Sequence, residues 1–175
     1  MTGSPEHVGS SLINIQIQIN HQPASGQVEP RLHLADFLRQ CAGLKGTRLG
    51  CEQGHCGACT VDINGQAVRA CLTLAVQADG ECVQTIEGMS EDPVGQVLQD
   101  AFITHHAMQC GYCTAGMIMS ARALLMHTHQ PTREQVREGL SGNYCRCTGY
   151  EAIVNAVMAA AASLQGTSQG GAVDV

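Results

Sequence analysis

The chain has 175 residues, enough for one domain or two small ones with a real core. Only 14% of residues are charged, the net charge is −6, and Lys45 is the only lysine. Phosphate binding needs clustered cations and base stacking needs aromatics; 9 Lys+Arg against 15 Asp+Glu supply little of the first, and three Tyr, two Phe and no Trp little of the second, so nucleic acid is not an expected partner.

No stretch is apolar over the roughly 18 residues that a spanning helix requires, so no membrane span is expected. Met1 to Glu6 shows no basic region leading into an apolar run and no twin Arg. The chain is therefore expected to be unprocessed and cytoplasmic. In a reducing compartment its ten cysteines are poor disulfide candidates and good metal ligands.

Residues 1–10 are polar and expected to be frayed. Ile13, Ile15, Ile17 and Ile19 alternate with polar residues, the period of a half-buried strand. Asn20-His21 and Pro23 to Gly26 read as a turn, followed by a second strand near Val28. Leu32, Ala35, Phe37 and Leu38 give a short amphipathic helix ending at Cys41. Residues 43–59 carry too many glycines for a regular element and form a tight loop. Thr60 to Ile63, Asn64-Gly65, and Gln66 to Arg69 read as a hairpin with a two-residue turn. Glu81 to Ile86 is the last strand.

The pattern then changes to helices. Asp92 suits an N-cap and Pro93 the first helical position, so a helix is expected over Val94 to His105. Thr114 opens another, with Met117, Ile118, Ala121, Leu124 and Leu125 on its apolar face. Thr132-Arg-Glu-Gln135 and Thr148-Gly-Tyr-Glu151 match the capping-box pattern and place helices near 133–140 and 149–164. The Gly/Ser-rich stretch from Gln165 to Val175 reads as a flexible tail.

The cysteines form two sets. The first is Cys51-Glu-Gln-Gly-His-Cys56-Gly-Ala-Cys59 with Cys71 further on, the plant-type [2Fe–2S] spacing. Each iron needs two thiolates, and backbone N–H groups donating to the sulfurs tune the centre. Glycines at 50, 54 and 57 permit such wrapping. Zinc is the rival, but zinc sites usually pair two short clips, which this set does not. The second set is Cys110-Gly-Tyr-Cys113 with Cys145-Arg-Cys147. Zinc and redox dithiols stay open for these residues taken alone. Both clips fall just before expected helix starts, where the helix N-terminus favours an anionic cluster. A Rieske centre would need two His, and the cysteine sets are complete without any.

Cys41 and Cys82 remain, and both are expected to be buried, inert thiols. His127-Thr-His129 reads as a solvated pair rather than a metal clip, and His105-His106 as a polar helix terminus. His55 either tunes the first cluster loop by hydrogen bonding or faces solvent. Met108, Met117, Met119 and Met126 fit helix core or interface. No nucleophile–base pair, paired carboxylate or phosphate loop stands out, and an electron conduit with its substrate chemistry elsewhere is the expected role.

Three motifs, in this order, resemble the iron–sulfur subunits of the xanthine oxidase family of molybdenum hydroxylases. They are Gly50-Cys51 to Val61, Gln109-Cys110-Gly-Tyr-Cys113 to Met119, and Ser141-Gly-Asn-Tyr-Cys145-Arg-Cys147-Thr-Gly-Tyr150. The resemblance covers about residues 11–163. It implies an α+β fold: an N-terminal plant-ferredoxin-like β-grasp domain and a C-terminal four-helix bundle. The expected division is a flexible terminus over 1–10, a ferredoxin-like [2Fe–2S] domain over 11–88, a helical [2Fe–2S] domain over 89–164 and a tail over 165–175.

The same resemblance implies two [2Fe–2S] clusters, with Cys51, Cys56, Cys59 and Cys71 holding the one nearer a flavin. Cys110, Cys113, Cys145 and Cys147 hold the one nearer molybdenum. It also implies that Gln109 hydrogen-bonds the pterin of a molybdopterin cofactor and that Cys147 lies close to it. The implied partners are a molybdenum-binding large subunit and an FAD-binding medium subunit, in a heterotrimer or a dimer of heterotrimers. The family usually has Pro where Ala115 stands; Ala is a good helix former and no ligand is touched. A free-standing two-cluster ferredoxin shuttle is the alternative. Substrate specificity is expected on the large subunit.

Overall fold

Isoleucine at every second position makes one face of the first strand apolar, and that face becomes a core. The computed structural model describes residues 11–169. Strand β1 (Ile13–Ile19) buries Ile15, Ile17 and Ile19 and turns back through Asn20 and His21 into β2 (Gln22–Val28). Both turn residues have positive φ, the geometry of the two-residue turns whose twist matches that of flanking strands. The second strand is therefore longer than the sequence indicated: Pro23 to Gly26, read there as a turn, pairs with β1. Pro23 is tolerated because β2 is an edge strand and needs no donor outward.

Helix α1 (Leu34–Asp36) runs on into a wider turn (Phe37–Cys41) closed by Ala42 N donating to Phe37 O at 3.0 Å. It lays Leu34, Ala35, Phe37 and Leu38 on the sheet. The hairpin of β3 (Thr60–Ile63) and β4 (Gln66–Arg69) turns at Asn64-Gly65 as expected. Strand β5 (Cys82–Gln84) is shorter than the Glu81 to Ile86 stretch suggested. It inserts between β1, to which it is parallel, and β3, to which it is antiparallel, giving the order β2-β1-β5-β3-β4.

Asp92 caps α2 (Pro93–Thr104), its Oδ1 accepting the Gly95 N–H at 2.7 Å, with Pro93 in the first turn. Helix α3 (Thr114–His127) begins at the expected residue. Thr132 and Gln135 form the reciprocal capping box that opens α4 (Arg133–Gly139). Leu98, Phe102, Met117, Met119, Ile153 and Val157 join these helices to α5 (Glu151–Gln169) in a second core. The chain is α+β: a mixed sheet followed by helices.

Three expectations are corrected. Helix α5 starts at Glu151, because the Thr148 hydroxyl is engaged elsewhere: it donates to Cys145 Sγ and accepts the Tyr150 N–H. That helix runs through 165–169, where a flexible tail was expected, and Gln165 Nε2 ties it to the His129 carbonyl at 3.0 Å. The expectations for 1–10 and 170–175 lie outside the described residues. Cys41 and Cys82 are exposed rather than buried. Cys41 closes the wide turn after α1 on its outer side. Cys82 sits on the solvent side of the short β5, its Sγ 3.5 Å from Gln18 Oε1.

Candidate metal centres

The β3–β4 hairpin explains how the distant Cys71 returns to the first loop. Thr60 pairs with Arg69, and Ala70 N donates to Cys59 O at 3.2 Å, so Cys59 and Cys71 are brought together at the open end of the hairpin. Both are buried, while Cys51 and Cys56 are half-buried on the loop before β3. Cys51 Sγ accepts the N–H groups of Cys56 and Gln53, each at 3.4 Å, and these donors draw its pKa down to about 7. Burial pushes the Cys59 thiol the other way, to about 11, with the neighbouring Cys71 thiol adding to the rise. A Cβ on Gly50 would lie 3.0 Å from Cys56 Sγ, so the backbone here hugs the sulfur as closely as a side-chain-free residue allows.

The second set is assembled by helix starts. Cys113 is the N-cap of α3, Cys110 lies just before it, and Cys145 and Cys147 sit on the loop before α5. Cys147 Sγ is 3.6 Å from Cys110 Sγ, and Cys113 pairs with Cys145. Burial lifts the Cys113 thiol to about 12, with Cys145 beside it contributing. Burial also works to raise Cys145, but the Thr148 hydroxyl at 3.1 Å and N–H at 3.4 Å outweigh it and hold that thiol below its ordinary value. The Cys110 thiol beside Cys147 raises the latter. Cys110, Cys147 and Gln109 are all exposed, on the same outer loops.

Eight thiols thus stand as four neighbouring pairs, Cys51–Cys56 and Cys59–Cys71 in the first set and Cys110–Cys147 and Cys113–Cys145 in the second. That donor set fits a [2Fe–2S] cluster, which takes four thiolates, two per iron. The N–H and O–H donors on Cys51 and Cys145 are of the kind that stabilise anionic sulfur. His55 faces solvent. His105 closes α2 as its C-cap, and His127 ends α3.

The two loops touch. Tyr144 N donates to Cys56 O at 2.8 Å, and Tyr112 Oη donates to Leu49 O at 2.6 Å. Arg122 of α3 is buried and reaches Asp62 of β3 at 3.2 Å and Asp92 at 2.8 Å. Asn143 is buried against Gly57. None of Asp62, Arg69, Ser120, Arg122 and Asn143 was singled out from sequence, because their partners lie far off along the chain. Only the Ser-Gly-Asn-Tyr-Cys-Arg-Cys motif, which holds Asn143, pointed that way.

Two domain families match the chain: a 2Fe-2S iron-sulfur cluster binding domain over residues 17–85 and a [2Fe-2S] binding domain over 85–158. The chain is 50% identical to the nicotine 6-hydroxylase small subunit of Paenarthrobacter nicotinovorans, over 85% of this chain and 90% of that one. It is 44% identical to the caffeine dehydrogenase subunit gamma of a Pseudomonas species, over 82% and 87%. Among solved structures, quinoline 2-oxidoreductase from Pseudomonas putida 86 superposes with a TM-score of 0.84 at 52% identity, over 89% of this chain and 98% of that one. With both cluster-binding domains matched in order, and relatives that align over almost their whole length, the chain belongs to the iron–sulfur subunits of the xanthine oxidase family of molybdenum hydroxylases.

Proposed function

We propose that this chain is the internal electron conduit of its enzyme, taking electrons from a molybdenum–pterin centre on a large partner subunit and passing them to FAD on a medium partner subunit. The observation that carries the reading is the 2.8 Å hydrogen bond from Tyr144 N to Cys56 O, which couples a cysteine of one set to the neighbour of a cysteine of the other. A [2Fe–2S] cluster supplies one-electron uptake and release when bound. Cys51, Cys56, Cys59 and Cys71 would hold the cluster nearer the flavin; Cys110, Cys113, Cys145 and Cys147 would hold the one nearer molybdenum. The exposure of Gln109, Cys110 and Cys147 supports an outward-facing second site, with Gln109 hydrogen-bonding the pterin and Cys147 beside it.

The same reading assigns residues 11–88 to a plant-ferredoxin-like β-grasp domain and 89–164 to a four-helix bundle. It takes the assembly to be a heterotrimer or a dimer of heterotrimers in the cytoplasm, where ten unbridged cysteines are stable. Substrate chemistry belongs to the large subunit, and nicotine, caffeine and quinoline, the compounds in the relatives' names, are the first to assay.

The test is recovery of the tagged chain from its native host at native expression. It should co-purify with two larger polypeptides, one bearing molybdopterin and one FAD. Recovery as a lone monomer would overturn the subunit assembly and favour a free shuttle.

A further inference from the structure

Gly57 lies between the ligand candidates Cys56 and Cys59, and its carbonyl is where the two halves of the molecule meet. It accepts Thr60 N at 3.2 Å and Thr60 Oγ1 at 2.6 Å. Asn143 Nδ2 adds a third donor at 3.0 Å. Gly57 has φ +72°, and a Cβ on it would fall 2.4 Å from Gly142 O and 2.6 Å from Asn143 Nδ2. From the other side Gly116 of α3 presents a bare Cα, where a Cβ would strike Gly57 O at 2.2 Å. The contact is thus closed to any larger residue on both faces.

Asn143 fills every hydrogen-bonding position a carboxamide has. Nδ2 donates to Gly57 O and lies 3.4 Å from Thr60 Oγ1. Oδ1 accepts from Ser120 Oγ at 2.8 Å and from Arg69 Nη2 at 3.4 Å. Arg69 also donates to Gly142 O at 2.9 Å. The side chain is 2% exposed. Its partners come from the first cysteine loop, from β3 and β4, and from α3. A neutral amide with donors on one edge and acceptors on the other is the only side chain of this size that satisfies that set; a carboxylate would face the Gly57 carbonyl with an oxygen.

Asn143 sits one residue before Tyr144, whose N–H bonds Cys56 O, and two before Cys145. We propose that Asn143 is the positioning residue that fixes the distance and orientation between the two cluster sites, by clamping the Cys145 loop onto the Gly57 carbonyl. It touches neither cluster site's sulfurs; it acts by holding the Tyr144–Cys56 hydrogen bond in register. This rests on the electron-conduit reading above.

The test uses the intact complex with Asn143→Ala. The iron content should be unchanged, while the dipolar broadening that each reduced cluster imposes on the other's paramagnetic resonance signal changes clearly. Electron transfer between fixed centres weakens steeply with their separation, so internal electron transfer should slow clearly. A loss of general stability alone would not move the broadening. Asn143→Asp, equal in size but without the donors, is read the same way and decides the matter if the alanine variant loses iron. An iron-replete variant with unchanged broadening and unchanged internal rate would overturn the inference. A wild-type complex lacking two clusters would instead sink the conduit reading itself.

Discussion

Arg122 is a buried cation whose partners explain its burial. An isolated buried guanidinium is strongly unfavourable, and truncating one member of a buried ion pair typically costs about 3–5 kcal/mol because the partner charge is left stranded. Here Nη1 reaches Asp62 and both Nε and Nη2 reach Asp92, so one cation joins the sheet to the N-terminus of α2. Burial works to raise the Asp92 carboxyl, but the Arg122 guanidinium and the Gly95 N–H outweigh it and hold its pKa below the usual carboxylate value. A lowered folded-state pKa stabilises the fold above the ordinary carboxylate range, and that stabilisation is lost as pH falls through the lowered value. Arg122→Ala should therefore destabilise the chain by about 3 kcal/mol near neutrality, read by denaturant unfolding, and should flatten the acid limb of stability. An unchanged midpoint would show that the ion pairs contribute nothing net. None of this was legible in the sequence. Arg122 lies on a helix whose apolar positions read as core; its partners are set by tertiary contact alone.

At the level of elements, the sequence was informative wherever a local rule decided the matter. The alternation of Ile13 to Ile19, the Asn64-Gly65 turn, the Asp92-Pro93 start and the Thr132 capping box all appear as expected, because each is settled within a few residues. It failed where a side chain chose a distant or unusual partner. Thr148 bonds Cys145 Sγ instead of capping, Gln165 of α5 reaches the His129 carbonyl, and Cys41 and Cys82 sit exposed at element ends, Cys41 at the end of the wide turn and Cys82 at the start of the short central strand β5. The cysteine spacings were legible because metal chemistry imposes them, although the pairing of Cys110 with Cys147 and of Cys113 with Cys145 emerges only in three dimensions. Because the two sets are carried by different elements, they should fail separately. Cys147→Ser should remove the paramagnetic signal of the second cluster and leave that of the first. Two unchanged signals would show that Cys147 is no ligand.

The molecule as a whole is two cores with one seam between them. The sheet core and the helix core each close on their own residues. Arg122, Asn143, Tyr112 and the Tyr144–Cys56 bond fasten them. The thinly spread charge of −6, with a single lysine, fits a chain that buries surface against partners better than a shuttle docking through a charged patch. Everything rests on both cysteine sets holding iron at once. Paramagnetic resonance of the dithionite-reduced, fully metal-loaded protein tests that most directly. Two distinct [2Fe–2S] signals of equal spin intensity are the expected result; a single signal, with zinc bound at the other set, would contradict it.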